Sequence, residues 1–138
     1  MTIVGFNITK IDVERADSIK GKININNNVS IKNIEATDLF MGKAKQKGLK
    51  FSFEFKTIYE PKLAHILLGG NVVVLKEEKE VKSIVDDWKN KKKMPKDIMA
   101  HILNTILTRC NIEALLLSRE VGLPAPIRLP KVEVKKTE

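Results

Sequence analysis

Residues 50–75, KFSFEFKTIYEPKLAHILLGGNVVVL, decide the fold of this chain. Large, mostly aromatic side chains occupy the odd positions from 51 to 59, and Ser, Glu and Lys occupy most of the even ones. This period of two predicts a strand with one buried face and one wet face. Pro61 and Lys62 predict a turn, and the apolar run after them predicts a second strand. Within that run, Gly69 and Gly70 predict a bulge or kink that redirects the strand without ending it.

The aromatic residues are concentrated in and just before the same stretch. Four of the five phenylalanines and the only tyrosine lie between residues 40 and 59. Aromatic side chains bury more apolar surface than any others, so we expect the core to be built on this pair of strands.

Two further strands are predicted on the N-terminal side of this pair. Residues 3–13 alternate with a change of phase after Ile8, and residues 29–37 alternate with a change of phase after Ile31. The phase change in the first stretch predicts a bulge or bend that divides one long strand into two halves, and the second stretch, with its slipped phase, is a candidate edge strand.

Two connections are predicted between these strands. Residues 14–28 contain three consecutive asparagines, which favour turns over regular pairing, and so predict a long irregular connection. Residues 38–47 break the alternation and predict a loop that carries Phe40 and Met41. These apolar side chains would either seal the core or form an exposed lip that meets another chain.

The C-terminal half has helical periodicity. Apolar residues spaced three and four apart, Val81, Ile84, Val85 and Trp88, predict a first helix after acidic residues that suit a helix N-terminus. A second, longer helix is predicted from Pro95 to Gly122, which supply its start and stop signals. Its apolar stripe is wide enough to cover the sheet on one side and a second subunit on the other, so we expect a homo-oligomer.

Length and composition limit the class of protein. A chain of 138 residues suits one domain, here residues 1–138, with residues 131–138 expected to be a loose tail. No apolar run reaches the roughly 20 residues that a bilayer crossing needs. The single cysteine, Cys110, excludes an internal disulfide and fits a reducing compartment, so we expect a cytoplasmic protein. The formal net charge of +8 favours acidic partners.

The residue types that carry catalysis are not combined in any legible pattern. His65 and His101 have no ligand or carboxylate at a useful spacing, and Cys110 lies on the apolar stripe of the second helix. Neither a phosphate-binding glycine loop nor a nucleophile elbow is present. We therefore expect no catalytic residue, metal site or cofactor, and a function in binding.

Three stretches in order resemble the SecB-type chaperones, which hold unfolded clients. FNITKIDVERAD at residues 6–17 is similar to the first strand of that family, and residues 50–75 are similar to its paired strands. NIEALLLSREVGLPAPIRLPKV at residues 111–132 resembles its long helix and its extended tail with proline. No single motif is specific, and the resemblance depends on their shared order.

The resemblance implies an α+β protomer with a four-stranded antiparallel sheet and two C-terminal helices, which assembles as a dimer of dimers. It implies an ATP-independent holdase that binds unfolded polypeptides in apolar grooves of a homotetramer. Carried onto this chain, the candidate groove residues are Val29, Ile31, Phe40, Met41, Leu117, Val121, Leu123, Ile127 and Leu129. Core or subunit-interface packing is the alternative for each of them.

The charge departs from the family pattern. SecB-type chains are strongly acidic, which serves docking to the basic tail of the SecA motor, whereas this chain is basic. A SecA partnership and a role in protein transport are therefore in doubt, while a general holdase or a chaperone dedicated to one client, such as an antitoxin, fits the charge.

Two other classes of function stay open at this stage. One is a small nucleic-acid-binding protein that contacts phosphates through Lys43, Lys45, Lys47, Lys91, Lys92 and Lys93. The other is an enzyme without a legible motif, for instance a thioesterase built on a sheet and helices.

Overall fold

The computed structural model describes residues 2–19, 21–42, 44–91 and 93–128, without the side chains of Met41 and Lys91. These residues form four strands followed by two helices: β1 (Thr2–Arg15), β2 (Asn24–Met41), β3 (Ala44–Glu60), β4 (Ala64–Leu75), α1 (Glu78–Lys91) and α2 (Lys96–Glu120). The strands make one antiparallel sheet in the order β1-β4-β3-β2. The predicted α+β class, with a four-stranded antiparallel sheet and two C-terminal helices, is confirmed.

The core lies on one face of the sheet, between β3, β4 and the two helices. Every odd position of β3 from Phe51 to Tyr59 is buried, as are the alternate positions of β4 that share this face. The helices cover this face with Val81, Ile84, Trp88, Ile102, Ile106, Cys110 and Ala114. We call the opposite side of the sheet the open face, since no helix packs against it in the described residues.

Both predicted phase changes are bulges. The register of β1 against β4 shifts between Ile8 and Lys10, and that of β2 against β3 shifts between Ile31 and Asn33. In each strand the extra residue returns the next apolar side chain to the face covered by the helices. Phe6 and Val13, on either side of the first bulge, both pack against the core as a result.

The bulge predicted at Gly69 and Gly70 lies on a different strand. β4 pairs with β3 without interruption through both glycines, and the extra residue is Thr9 on the neighbouring strand β1. A Cβ atom at Gly70 would overlap the backbone carbonyl oxygen of Asn7, whereas one at Gly69 would meet only ordinary contacts. Gly70 is therefore required because the bulged strand approaches its backbone closely.

Both predictions of an irregular connection were wrong in extent, because part of each stretch belongs to a strand. β2 begins at Asn24 and not at Val29, since pairing with β3 outweighs the poor strand propensity of asparagine. The expected loop 38–47 is the end of a long hairpin, in which Phe40 pairs with Lys45 and Met41 with Ala44. Asp38 binds lysines on the facing strand, which stabilises the hairpin end.

Helices α1 and α2 occupy the predicted positions. Gly122, with a φ of 68°, ends α2 as expected from its place after the last turn. The buried stripe of α2 is narrower than the apolar pattern suggests and consists of Ile102, Ile106, Cys110, Ala114 and Ser118. No helix in the described residues is long and apolar enough to cross a membrane.

The two adjacent glycines of β4 provide a matched pair of substitutions. We expect Gly70→Ala to lower the free energy of unfolding by at least about 2 kcal/mol, since the new methyl group must push β1 away. Gly69→Ala should cost less than about 1 kcal/mol, because Lys10 Cβ lies at 3.5 Å from the added atom. Urea unfolding of both variants measures the difference, and equal losses would contradict this account.

Candidate functional site

The segment after α2 crosses the end of the sheet, and we call residues 123–127, which bend at Pro126 and Ile127, the strap. It begins directly after Gly122, where the backbone N–H of Leu123 donates to the carbonyl oxygen of Ser118 at 2.8 Å. At this junction the guanidinium of Arg15 donates to the carbonyl oxygens of Val121 and Gly122 at 2.9 and 3.2 Å. A cation at the carbonyl end of a helix is favourable, so Arg15 joins the end of β1 to the end of α2.

Two side chains of the sheet bind the backbone of the strap. The Tyr59 hydroxyl donates to the carbonyl oxygen of Pro124 at 2.7 Å, and Asn27 Nδ2 donates to that of Pro126 at 3.0 Å. Asn27 is itself positioned by Thr57, whose hydroxyl donates to Asn27 Oδ1 at 2.6 Å. The strap therefore runs from the end of α2 across β3 to β2, and its carbonyl groups carry the polar contacts.

The strap is packed as well as hydrogen-bonded. Leu123 is 8% exposed and belongs to the core, and Pro126 is buried. Tyr59 is fully buried, and this burial raises the pKa of its phenol to about 12. The Tyr59 hydroxyl therefore stays protonated across the physiological pH range and can donate its hydrogen bond there.

Six of the predicted groove residues lie on β2, at the end of α2 and on the strap itself, the three segments that the contacts of the strap join. Val29 and Ile31 lie on the helix-covered side of β2, opposite Phe55 and Phe53. Leu117 and Val121 lie at the end of α2, and both pack, half-buried, against the core. Leu123 and Ile127 are part of the strap itself. Asn27 places the strap two residues from Val29 on the same face of β2.

Phe40 is not part of that group. It lies eleven residues beyond Val29 on β2, about 35 Å along a strand at roughly 3.3 Å per residue. Its side chain is 77% exposed, so Phe40 forms a separate apolar point at the tip of the β2–β3 hairpin. The side chain of Met41 and the whole of Leu129 lie outside the described residues.

A second apolar surface, which the sequence pattern did not single out, lies between β1 and α2. Phe6, Ile8, Ile11, Arg109, Ile112 and Glu113 line a groove of about 590 Å³. Ile11, Ile112 and the nearby Leu116 are each more than half exposed. The i, i+4 spacing of Ile112 and Leu116, outside the buried stripe, is the signal that could have revealed it.

Arg109 forms the polar element of this β1–α2 groove. Its guanidinium lies over the ring of Phe6, 5.4 Å from the centroid, and Phe6 in turn stacks on Phe53 at 5.4 Å. A cation over an aromatic face is attracted by the ring quadrupole. Arg109 therefore holds Phe6 in the groove wall and presents a positive charge beside exposed apolar side chains.

Lys45, Lys47 and Lys93, the proposed phosphate-binding lysines whose side chains the structure describes, do not form one patch. Lys45 and Lys47 contact Asp38 at 3.3 and 2.7 Å, and the bond from Lys47 holds the pKa of that carboxyl below its usual range. Their hairpin borders the start of α1, whereas Lys93 follows its end, about 20 Å away at 1.5 Å per residue. Lys43 and Lys92, and the Lys91 side chain, are outside the described residues.

The residues considered for catalysis lie apart from one another. Cys110 is fully buried, and burial raises the pKa of its thiol to about 12, so it packs as a small apolar residue, as predicted. His65 lies on the open face, 3.5 Å from Asp12, and His101 is exposed on α2. The described residues contain no group of three or more His, Cys, Asp or Glu that could hold a metal ion.

Comparison with known proteins finds a similar backbone fold in a solved structure. No family model matches the chain, and no curated protein matches it by sequence. Among solved structures, the SecB-like chaperone of Mycobacterium tuberculosis in complex with a ChAD peptide from an antitoxin matches with a TM-score of 0.45 and 9% sequence identity. The match covers 98% of this chain and 92% of the other.

Burial of Tyr59 predicts a loss of stability at alkaline pH. An unfolded tyrosine ionises near pH ~10, whereas Tyr59 in the folded chain ionises near 12. Between these values only the unfolded chain releases the proton, so the free energy of unfolding should fall by up to about 1.4 kcal/mol per pH unit. Below about pH 10 the contribution is fully retained.

Urea unfolding of the wild type and of Tyr59→Phe over this range measures the effect. Tyr59 is the only tyrosine, and both proteins carry the same lysines, so their titration cancels in the difference. We expect any advantage of the wild type to shrink above pH ~10. Parallel pH profiles for the two proteins would argue that Tyr59 is not buried in solution.

Proposed function

We propose that the chain is an ATP-independent chaperone of the holdase type, a single domain over residues 1–138 that acts in the cytoplasm. Its clients would be unfolded or non-native polypeptides, bound along apolar surfaces of a homo-oligomer. The observation that carries the proposal is that, within the described residues, the helices pack on β2, β3 and β4 and leave the edge strand β1 largely uncovered. Exposed apolar side chains therefore line a groove between β1 and α2, and half-buried ones lie around the strap.

The client surface of the proposal is the group of residues around the strap. Val29, Ile31, Leu117 and Val121 are half-buried, so each offers apolar area without being sealed in the core. The candidates completing this surface are Leu123, Ile127 and Leu129, with Phe40 and Met41 as a second contact point along β2. Such a surface suits clients that differ in sequence, because apolar burial, at roughly 25 cal/mol per Å², does not require one side-chain order.

The proposed assembly is a dimer of dimers in which the β1–α2 groove forms an interface between subunits. β1 is an edge strand paired only with β4, and it presents Val4 and Ile11 to solvent. An exposed edge with apolar side chains favours pairing with another chain. Exposed Ile112 and Leu116 on α2 extend the same surface, so a second copy could bury strand and helix together.

The positive charge of the chain limits the kinds of client and partner that it would attract. With a net charge of +8, acidic segments in a client would be attracted and a basic docking partner such as the SecA tail would be repelled. The proposal therefore favours general holding, or control of one dedicated client such as an antitoxin, over protein export.

The primary test is suppression of aggregation without ATP. We expect the purified protein to prevent turbidity of a denatured model client at near-stoichiometric ratio. Ile31→Asp should weaken this protection, because it places a charge on the client surface at a half-buried position of β2 that is not part of the strap. Phe40→Asp tests the hairpin point in the same way.

Matched controls separate client contact from charge. Asn33→Asp adds the same charge on the open face, two residues from Ile31, without removing an apolar side chain, and Ala44→Asp places that charge on the hairpin of Phe40 at an exposed position. Both should protect more effectively than their partner variants. Absence of protection by the wild type at several-fold excess would refute the holdase proposal.

Assembly is tested by light scattering at micromolar concentration. We expect a tetramer for the wild type and smaller species for Ile112→Glu, whose side chain is 56% exposed and has no place in the core. Asn104→Glu adds the same charge at an exposed position of α2 outside the lining of the groove. A wild type that remains monomeric would exclude the assembly.

A further inference from the structure

The strap is bound in a way that does not depend on its side chains. Its two polar contacts with the sheet use the carbonyl oxygens of Pro124 and Pro126, which are two residues apart. In an extended chain, alternate carbonyl groups point to the same side. Tyr59 and Asn27 therefore form a pair of donors that fits the backbone of any extended polypeptide.

The strap also covers the surface that the proposed function assigns to clients. Two candidate client residues, Leu123 and Ile127, belong to it, and its contact with Asn27 lies two positions from Val29 on the same face. An extended client could reach Tyr59 and Asn27 only after the strap had moved away, since Tyr59 is fully buried beneath it.

The composition of the strap suits reversible docking. Pro124 and Pro126 have no backbone N–H, so docking of the strap buries no N–H of these residues that would need a hydrogen-bond partner. Their fixed φ angles also lower the conformational entropy that the strap loses when it docks. Gly122, in a left-handed conformation at the junction with α2, provides a point at which the backbone can change direction.

We propose that the strap is an intramolecular stand-in for an extended client, which occupies the Tyr59 and Asn27 donors and must be displaced before a client segment binds. This inference rests on the proposed function and adds a means of regulating it. A client of sufficient affinity competes with the strap, so weak and unspecific segments are excluded by the closed state.

Competition predicts that weakening the strap strengthens client binding. Pro126→Gly removes a buried ring of the strap and its fixed φ angle, and it leaves the Tyr59 and Asn27 donors in place for a client. Weaker docking of the strap raises the open fraction, so the dissociation constant for a reduced, carboxymethylated and therefore unfolded protein should fall about fivefold. Asn28→Ala, on the open face, should leave it unchanged.

Displacement of the strap is measured separately by the reactivity of a thiol. Ala125 is half-buried in the strap, and an Ala125→Cys thiol should react slowly with a neutral maleimide when the strap is closed. The native Cys110 is buried and remains unreactive. We expect faster labelling of Ala125→Cys after addition of saturating unfolded protein, and also when Pro126→Gly is combined with it.

The outcomes distinguish the two proposals. Faster labelling of Ala125→Cys in the Pro126→Gly background, with an unchanged or weaker affinity of Pro126→Gly for the unfolded protein, would overturn the competition and leave the holdase intact. A labelling rate that does not respond to bound unfolded protein would overturn it as well. If neither the wild type nor any variant bound the unfolded protein, the holdase itself would be refuted, while the labelling rates would still report the opening of the strap.

Discussion

The burial of one face of β3 is the constraint on which the rest of the structure depends. β3 pairs on both sides, with β2 and β4, and its odd positions from Phe51 to Tyr59 leave almost no exposed surface. Because these aromatic side chains alternate with polar ones, only one register of the neighbouring strands keeps them covered. Both helices must then lie on the same face, and the opposite face is left open.

The margins of the sheet follow from that arrangement. Within the described residues the helices pack on β2, β3 and β4, whereas β1 and the start of β2 are only partly covered. At the start of β2 the chain supplies its own cover, the strap. Along β1 the groove beneath Arg109 and Ile112 stays open, and this difference separates the two surfaces in the proposed function: one for a client, one for another subunit.

The polar contacts of the strap show why the candidate site could be predicted only in part. Apolar residues such as Val29, Ile31 and Leu123 could be named from the resemblance, and the structure places each of them in or against the core. Asn27 lay in a stretch that the three asparagines predicted to be irregular, and its partner Pro126 is 99 residues away. No local pattern encodes a hydrogen bond between segments so distant, because it depends on how the sheet and the end of α2 are placed.

The four strands, the two helices and the phase changes after Ile8 and Ile31 follow from the sequence alone, since periodicity, turn residues and caps are local signals. The register shift between Ile3 and Gly5 was not predicted. The sequence also determined which face of β3 is core. Only the tertiary structure decided that Asn24 to Asn28 pair as strand, that Gly70 serves the bulge of β1, and that Phe40 stands apart from the other groove residues. These depend on the neighbour that each segment meets, and cross-strand pairing outweighs the small intrinsic preferences of asparagine and glycine.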